Sequence, residues 1–407
     1  MQLSVIILNY NVRYFLELCV LSVQNAIQNI DAEIIVIDNN SPDDSCAMMK
    51  QRFPNVKLIE NKENLGFPKG NNIGVSQANG EYICILNPDT VVAEDTFSKV
   101  LAFAKNQGNV GIVGCKLIDG TGNFLPESKR GTPTPLVAFT KITGLYKIFP
   151  KTFGTYYAQH LSENETGQVD ILVGAFMFMK LDLYNEIGGF DENCFMYSDD
   201  IDLSYMALKK GKANYYFHET TVIHYKGEST IKDGAYMKRF QEAMNFFYKK
   251  HFRVSLLFSV FMKIGIVFFS IIKMFQGKPK KVLQPIHYIL VSNSVPKLRD
   301  RGEVLREKLE NQVGKLVKQQ NITKSFAEKP NTEIIFDQNN LDFKAIIKTF
   351  ETNKNRGFTF KIIPQSTDYR IGSNSSFDRG EVVKIEDFIF YPEVSGQISD
   401  LSEKHLI

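Results

Sequence analysis

The sequence predicts an α/β fold built on a mainly parallel sheet flanked by helices, and three observations carry that expectation. Short apolar runs alternate with helix-period segments through residues 3–89. The connections between those runs are too long for hairpins, which argues for crossovers and parallel pairing. The runs end in polar residues, Asn9, Asp38 and Asp89, and in a parallel sheet such ends share one edge, where ligands bind. Three polar clusters on one edge make a binding crevice a better account than three unrelated turns.

Each element follows in order. Leu3 to Leu8 is a continuous apolar run, suited to a strand covered on both faces. A helical pattern runs from Tyr14 to Gln28, with Phe15, Leu18, Cys19, Ser22 and Ala26 on one face. Glu33 to Ile37 is the next strand, ending in Asp38-Asn39-Asn40-Ser41-Pro42, and Asp43 or Asp44 is placed to cap a helix through Phe53. Val56 to Ile59 is a third strand. Asn61 to Gly74 reads as a long loop dense in Asn and Gly. Gly66 and Gly70 permit tight turns there, the following helix can point amides at an anion, and Lys69 adds charge. Tyr82 to Leu86 is a buried strand that Pro88 must end, because proline cannot donate to the ladder. Asp89 then sits at a strand's carboxyl end, where it can hold a hard divalent metal bridging a diphosphate. An ordinary turn aspartate is the plain alternative.

Val110 to Lys116 is another strand, residues 120–168 read as acceptor-side loops, and Asp170 to Lys180 reads as an apolar strand containing Gly174 and Ala175. Asp199, Asp200 and Asp202 follow within one short segment. Such clustering is unfavourable unless a cation, a basic group, solvent or a helix N-terminus relieves it. His224 stands alone after an apolar pair, where a structural histidine is the plain expectation.

Composition narrows the function classes. The chain has 407 residues, 43% hydrophobic and 23% charged, which is ordinary globular composition with length for more than one domain. A net charge of +3 and the lack of a basic aromatic stripe give no support for nucleic acid as a partner. The five cysteines form no CxxC, so a disulfide framework or structural zinc is not expected, and a reducing compartment is. The apolar N-terminus lacks a basic n-region and reads as a strand rather than a signal peptide. No GxGxxG follows the first strand and no GxxxxGK[ST] occurs, which disfavours a dinucleotide dehydrogenase and a P-loop NTPase.

Four motifs in order, Val5-Ile-Ile-Leu-Asn-Tyr-Asn, Ile37-Asp-Asn-Asn-Ser, Asn64-Leu-Gly-Phe-Pro-Lys-Gly-Asn-Asn and Leu86-Asn-Pro-Asp-Thr, resemble family 2 glycosyltransferases. The nearest likeness is to the rhamnosyltransferase-like subgroup, over residues 3–250. The resemblance implies a GT-A fold and a nucleoside diphosphate sugar donor. It places Asp38 on the base, Asn9 and Tyr10 along the nucleotide, and Asn64, Gly66 and Asn71 along the pyrophosphate and sugar. Asp89 matches the last residue of the family's DxD metal signature, with Asn87 at its first position. Gly174 and Ala175 fall near the sugar and acceptor. Asp199-Asp200 stands at the family's Glu-Asp pair, which makes Asp200 the general base. His224, followed by Gly227 and Ser229, matches a histidine near the metal and diphosphate. The cofactor implied is Mg²⁺ or Mn²⁺, and the chemistry is an inverting single displacement. The expected donor is dTDP-rhamnose, with a UDP-hexose or other nucleotide sugar as the alternative. A non-catalytic sugar-nucleotide-binding or assembly protein is the rival from another class.

The resemblance stops near residue 250. Val254 to Ile272 is nearly all apolar and long enough to span a bilayer, but Lys263 near its centre costs about 2.5 to 3.5 kcal/mol there. Lys249, Lys250 and Arg253 precede it, and Lys273, Lys278, Lys280 and Lys281 follow. Basic residues on both sides suit a segment lying on the cytoplasmic face of a membrane, peripheral rather than spanning. That location fits a polyprenyl-linked or other glycan acceptor. The expected organisation is a glycosyltransferase domain over 1–250, a hydrophobic and basic helical segment over 251–282, a small degenerate Rossmann-like α/β domain over 283–370 with strands at 287–292, 313–318, 333–336 and 358–363 and helices at 300–312 and 343–354, and an irregular tail over 371–407. No oligomeric state follows from the sequence.

Overall fold

The structure is a computed structural model that describes residues 1–134, 137, 154–226, 234–252, 285–292, 315–317, 331–374 and 380–385. The first unit runs β1 (Leu3–Asn9), α1 (Arg13–Ala26), β2 (Ala32–Asp38), α2 (Ser45–Arg52), β3 (Lys57–Glu60), α3 (Gly66–Val75), β4 (Tyr82–Leu86), β5 (Thr90–Val91), α4 (Thr96–Asn106) and β6 (Val110–Ile118). It continues through β7 (Gly167–Val169), β8 (Phe176–Lys180), α5 (Leu181–Glu186), α6 (Asp199–Lys209), β9 (Ala213–His224) and α7 (Gly234–His251). The sheet order is β3-β2-β1-β4-β8-β6-β9-β5, with β7 also on β9.

Strands β1 to β4 pair in parallel, as the crossover argument requires. The sheet is mixed but mostly parallel, in line with a mainly parallel sheet, and its antiparallel pairings all lie beyond β4. Strand β8 lies antiparallel between β4 and β6, and β5 and β7 pair antiparallel with β9. The apolar run at 170–180 gave no sign of this direction, and only Phe176–Lys180 of it is strand. Alternation explains why these runs carry almost no polar residue. Val5 and Ile7 of β1 join one core cluster while Ile6 joins the other, and Phe176 and Phe178 oppose Met177 and Met179 in the same way. Both faces are covered, so both side-chain sets are apolar.

The Asn61–Gly74 stretch requires a correction. From Gly66 onward it is helix α3, not loop. A Cβ on Gly70 would stand 2.5 Å from Leu8 Cδ1, and one on Gly74 2.3 Å from Ile37 Cδ1. Those glycines serve close helix–sheet packing rather than tight turns.

The second unit holds β10 (His287–Val291), β11 (Lys315–Val317), β12 (Thr332–Asp337), α8 (Phe343–Thr352), β13 (Phe358–Ile363), β14 (Tyr369–Gly372) and β15 (Glu381–Lys384). Its sheet order is β11-β10-β12-β13-β14-β15, with the first four strands parallel and the last two antiparallel. Strand β15 lies in the stretch expected to be irregular tail, where Val382 and Val383 alternate too briefly to stand out.

One face of this sheet, with Phe336 and Phe360, and α8, with Phe343 and Phe350, share a core cluster with α1, α2 and α4. Buried Glu17 of α1 ties the units together by pairing with Arg13 (2.8 Å) and by accepting from Arg52 and from the Tyr369 hydroxyl (2.8 Å). The Glu94 carboxylate accepts from the first amides of α8, Phe343 N (2.7 Å) and Lys344 N (2.9 Å). All five cysteines are free. The Val254–Ile272 stretch lies outside the described residues, as do the expected helix at 300–312 and the segment with Gly227 and Ser229. Among the described residues no helix is long and apolar enough to cross a membrane.

Candidate active site

The register of β1 on β2 sets Asn9 opposite Asp38 at the carboxyl edge. Asn9 Nδ2 donates to Asp38 Oδ1 (2.7 Å), and Asp38 also accepts from the Ser41 amide (2.8 Å) and hydroxyl (2.6 Å). Asn9 Oδ1 is buried without a partner. A cavity of about 590 Å³ opens on this edge, and Tyr10, Asn39, Asn64, Gly66, Phe67 and Asn87 line its near wall. Asn64 Oδ1 receives the Gly66 amide (3.0 Å) and stations the start of α3 at the cavity. Gly66 has φ +80°, and a Cβ there would stand 2.8 Å from the Phe195 ring, so only glycine fits without strain. Asn71 is buried one turn on, with Nδ2 on the Phe67 carbonyl (2.9 Å) and Oδ1 unpartnered. Lys69 points elsewhere: it is exposed on α3 and does not line the cavity.

The antiparallel register of β5 on β9 puts Thr90 against His224 and so brings Asp89 and His224 together. His224 Nε2 lies 3.3 Å from Asp89 Oδ1 and 3.3 Å from Asn87 Nδ2. Both side chains are almost closed off, Asp89 at 4% and His224 at 6% exposure, and His224 Nδ1 has no partner. A carboxylate and an imidazole fit a divalent cation with oxygen and imidazole preferences. No group of three or more His, Cys, Asp or Glu forms a metal cluster among the described residues, so a full shell would need ligands from a diphosphate or water.

The far wall carries the acid pair. Tyr197, with φ +77°, turns the chain into α6, whose first turn holds Asp199, Asp200 and Asp202. The helix macrodipole favours carboxylates there, but each has its own surroundings. Asp202 is buried and paired with Lys250 and His251 of α7, so it docks that helix and does not face the cavity. Asp200 Oδ2 accepts from Arg130 Nη2 (2.6 Å) and from the Gly174 amide (3.1 Å), while Oδ1 accepts from the Ile201 amide (2.8 Å). Burial first, and the Asp200 charge second, push the Asp199 carboxyl up to about 7. Ala175 lines the cavity beside Gly174, and its carbonyl accepts the Asn87 amide (3.1 Å), which links the two walls.

The structure therefore gathers Tyr10, Asn64, Gly66, Asn87, Gly174, Ala175, Asp199 and Asp200 around one cavity. Asn87 connects that cavity to Asp89 and His224. Sequence reasoning missed Arg130, Glu127, Phe67 and Phe195, which also line it. Arg130 lies in the stretch read as irregular loop, where no periodicity marks a residue that only the tertiary fold brings to Asp200. A larger cavity of about 810 Å³ lies between the two units, but its ions satisfy one another, as in Lys116–Glu351 and Lys344–Asp95.

Comparison with known proteins now bears on this geometry. Residues 4–188 match the family model described as Glycosyl transferase family 2. An N-acetylglucosaminyl-diphospho-decaprenol L-rhamnosyltransferase of Mycobacterium tuberculosis is 28% identical over 214 residues, covering 50% of this chain and 69% of that protein. A GalNAc(5)-diNAcBac-PP-undecaprenol beta-1,3-glucosyltransferase of Campylobacter jejuni is 33% identical over 168 residues, 40% of this chain and 54% of that one. Among solved structures, a mannosyltransferase from Pyrobaculum calidifontis in complex with GDP-Man and Mn²⁺ aligns at TM-score 0.44 and 17% identity, covering 68% of this chain and 76% of that one. The family match spans β1 through α5, the segments that carry Asn9, Asp38, Asn64 and Asn87, and over these residues the chain matches glycosyl transferase family 2.

Proposed function

We propose that the chain moves a sugar from a nucleoside diphosphate donor to a hydroxyl of a lipid-linked or surface glycan, in a single displacement with inversion. The observation that carries this is one cavity with Asn87, leading to Asp89 and His224, on one wall and Asp199 with Asp200 on the other. Asn9, Tyr10 and Asp38 hold the nucleotide, and Asn64, Gly66 and Asn71 lie along the diphosphate and sugar. Gly174 and Ala175 shape the acceptor side. Asp200 takes the proton of the acceptor hydroxyl as its oxygen bonds to the anomeric carbon. The bond from that carbon to the diphosphate breaks, and the nucleoside diphosphate leaves with the electron pair. No covalent intermediate on the protein is needed, and the transition state has oxocarbenium character. Mg²⁺ or Mn²⁺ held by Asp89 and His224 would supply positive charge to the departing diphosphate.

The rhamnosyltransferase and glucosyltransferase relatives, named for polyprenyl-linked substrates, support dTDP-rhamnose first and a UDP-hexose second as donor. The same names, with the basic and apolar sequence over 249–281, support peripheral attachment at the cytoplasmic face of a membrane. The experiment is a panel of dTDP-rhamnose, UDP-glucose and GDP-mannose, with and without Mn²⁺, read by thermal stabilisation and nucleoside diphosphate release. One donor should stabilise the fold in a metal-dependent way, since binding adds RT ln(1 + [L]/Kd). Asp200→Asn should keep that stabilisation and lose about 10² to 10⁴ in turnover. Full turnover in Asp200→Asn would remove Asp200 as the base.

A further inference from the structure

No sequence motif marks Arg130, yet it makes the shortest hydrogen bond to the acid pair. Its backbone is clipped to Ile171 by two 2.9 Å hydrogen bonds, and the residue is 9% exposed. Nη2 donates to Asp200 Oδ2 (2.6 Å) and to the Leu172 carbonyl (3.0 Å). Nε is buried without a partner, at a residue that lines the cavity. The Gly174 amide reaches the same Asp200 oxygen from another segment (3.1 Å). Among the described residues no cation pairs with Asp199, although both carboxylates are buried side by side.

We infer that Arg130 is the positioning residue of the acid pair: by fixing one oxygen of Asp200 against the Gly174 amide, it makes the two carboxylates unequal and turns the other oxygen of Asp200 toward the acceptor. This rests on the reading of Asp200 as the proton acceptor. Oδ2 is occupied from two sides, while Oδ1 meets the Ile201 amide (2.8 Å) and keeps a lone pair for the acceptor proton. The guanidinium balances the charge of Asp200, so the proton that two buried neighbouring carboxylates tend to share rests on Asp199. The other charged or titratable groups around the pair are Glu127 and Tyr156 near Arg130, and Cys194 near Asp199. Asp202 is already engaged by Lys250 and His251.

The test reads the pair in the full chain. Native protein, Arg130→Met and Arg130→Lys are labelled with ¹³C-aspartate and titrated by infrared spectroscopy. Spectra of Asp199→Asn and Asp200→Asn assign the bands. Removing the cation should move ionisation of the pair upward by about one pH unit or more. The acid limb of kcat, measured with whichever donor of the panel turns over, should move the same way, with donor KM unchanged. Arg130→Lys keeps the charge but not the fork, so its titration should stay near native while kcat falls. A native titration in Arg130→Met overturns the inference, and Arg130→Gln takes its place if the Met variant does not fold. An inactive Asp200→Asn beside a native-like Arg130→Met sinks Arg130 alone. A fully active Asp200→Asn sinks the base assignment, whatever Arg130 does.

Discussion

Asp38 and Asp337 hold matching places in two different sheets. Asp38 ends β2 opposite Asn9 of β1, and Asp337 ends β12 beside Ser292, which follows β10. Each carboxylate is bound by its own turn. Asp38 takes Asn9 and Ser41, while Asp337 takes Ser292 (2.9 Å), Asn339 (2.8 Å) and Asn340 (2.7 Å). The edges around them differ. The first opens on a cavity and leaves buried polar atoms unpartnered at Asn9, Asn71, Arg130 and His224. In the second, Gln338 and Asn339 turn their carbonyl oxygens to the amides of Gln365 (2.7 Å) and Ser366 (3.0 Å). A polar strand end is therefore ambiguous by itself. Unsatisfied buried polar atoms are costly, and where they gather beside a cavity they mark an edge built for a ligand.

The largest effect expected falls where the two sheets are joined. Glu17→Ala leaves Arg13, Arg52 and Tyr369 without their shared carboxylate. Removing one partner of a buried ion pair costs about 3 to 5 kcal/mol. Guanidinium denaturation should show that loss as a lower midpoint. A shift within error would mean that the two units are not energetically coupled through Glu17.

Asp89→Asn comes next and tests the edge that is open. Transfer should fall by about 10² to 10³, the scale for losing one electrostatic contact to a developing charge, and donor binding should lose its response to Mn²⁺. Asp337→Asn is the matched change at the closed edge. It should cost about 1 kcal/mol of stability through weakened turn hydrogen bonds and leave turnover as it is. Equal effects on turnover from Asp89 and Asp337 would break the distinction between the two edges.

Much of the open edge was legible in the sequence because its residues sit at strand ends, and strand ends follow from apolar runs. Asn9, Asp38 and Asp89 were placed that way. The helix over 343–354 and the strands at 287–292, 333–336 and 358–363 were also found, within a few residues, since their apolar patterns are strong. What the residue pattern alone did not show depends on partners distant in sequence. The antiparallel entry of β8 is set by packing between β4 and β6. The nearness of His224 to Asp89 is set by the β5–β9 register. Arg130 reaches Asp200 across 70 residues from a segment without periodicity. The helical nature of α3 was hidden because its glycines, which argue for turns in isolation, are there to let Leu8 and Ile37 approach.

A pH-dependent effect sharpens the comparison further. Asp199 has its carboxyl raised from 3.8 to about 7, by burial first and by the Asp200 charge second. Between those values the folded chain holds a proton that the unfolded chain has released. Stability from this group is therefore complete below about pH 4 and is lost as pH rises toward about 7. Asp199→Asn is neutral in both states, so it should match the native chain at low pH and exceed it at pH above about 7. Glu333 in the second sheet is raised by burial too, against Arg370 and Lys361, and adds a dependence of the same sign. That contribution is common to both proteins and cancels in the difference between native and Asp199→Asn. Denaturation midpoints at about pH 5 and about pH 8 provide the check. Parallel changes in the two proteins would mean that Asp199 is not the protonated member of the pair, and the asymmetry assigned to Arg130 would lose its thermodynamic support.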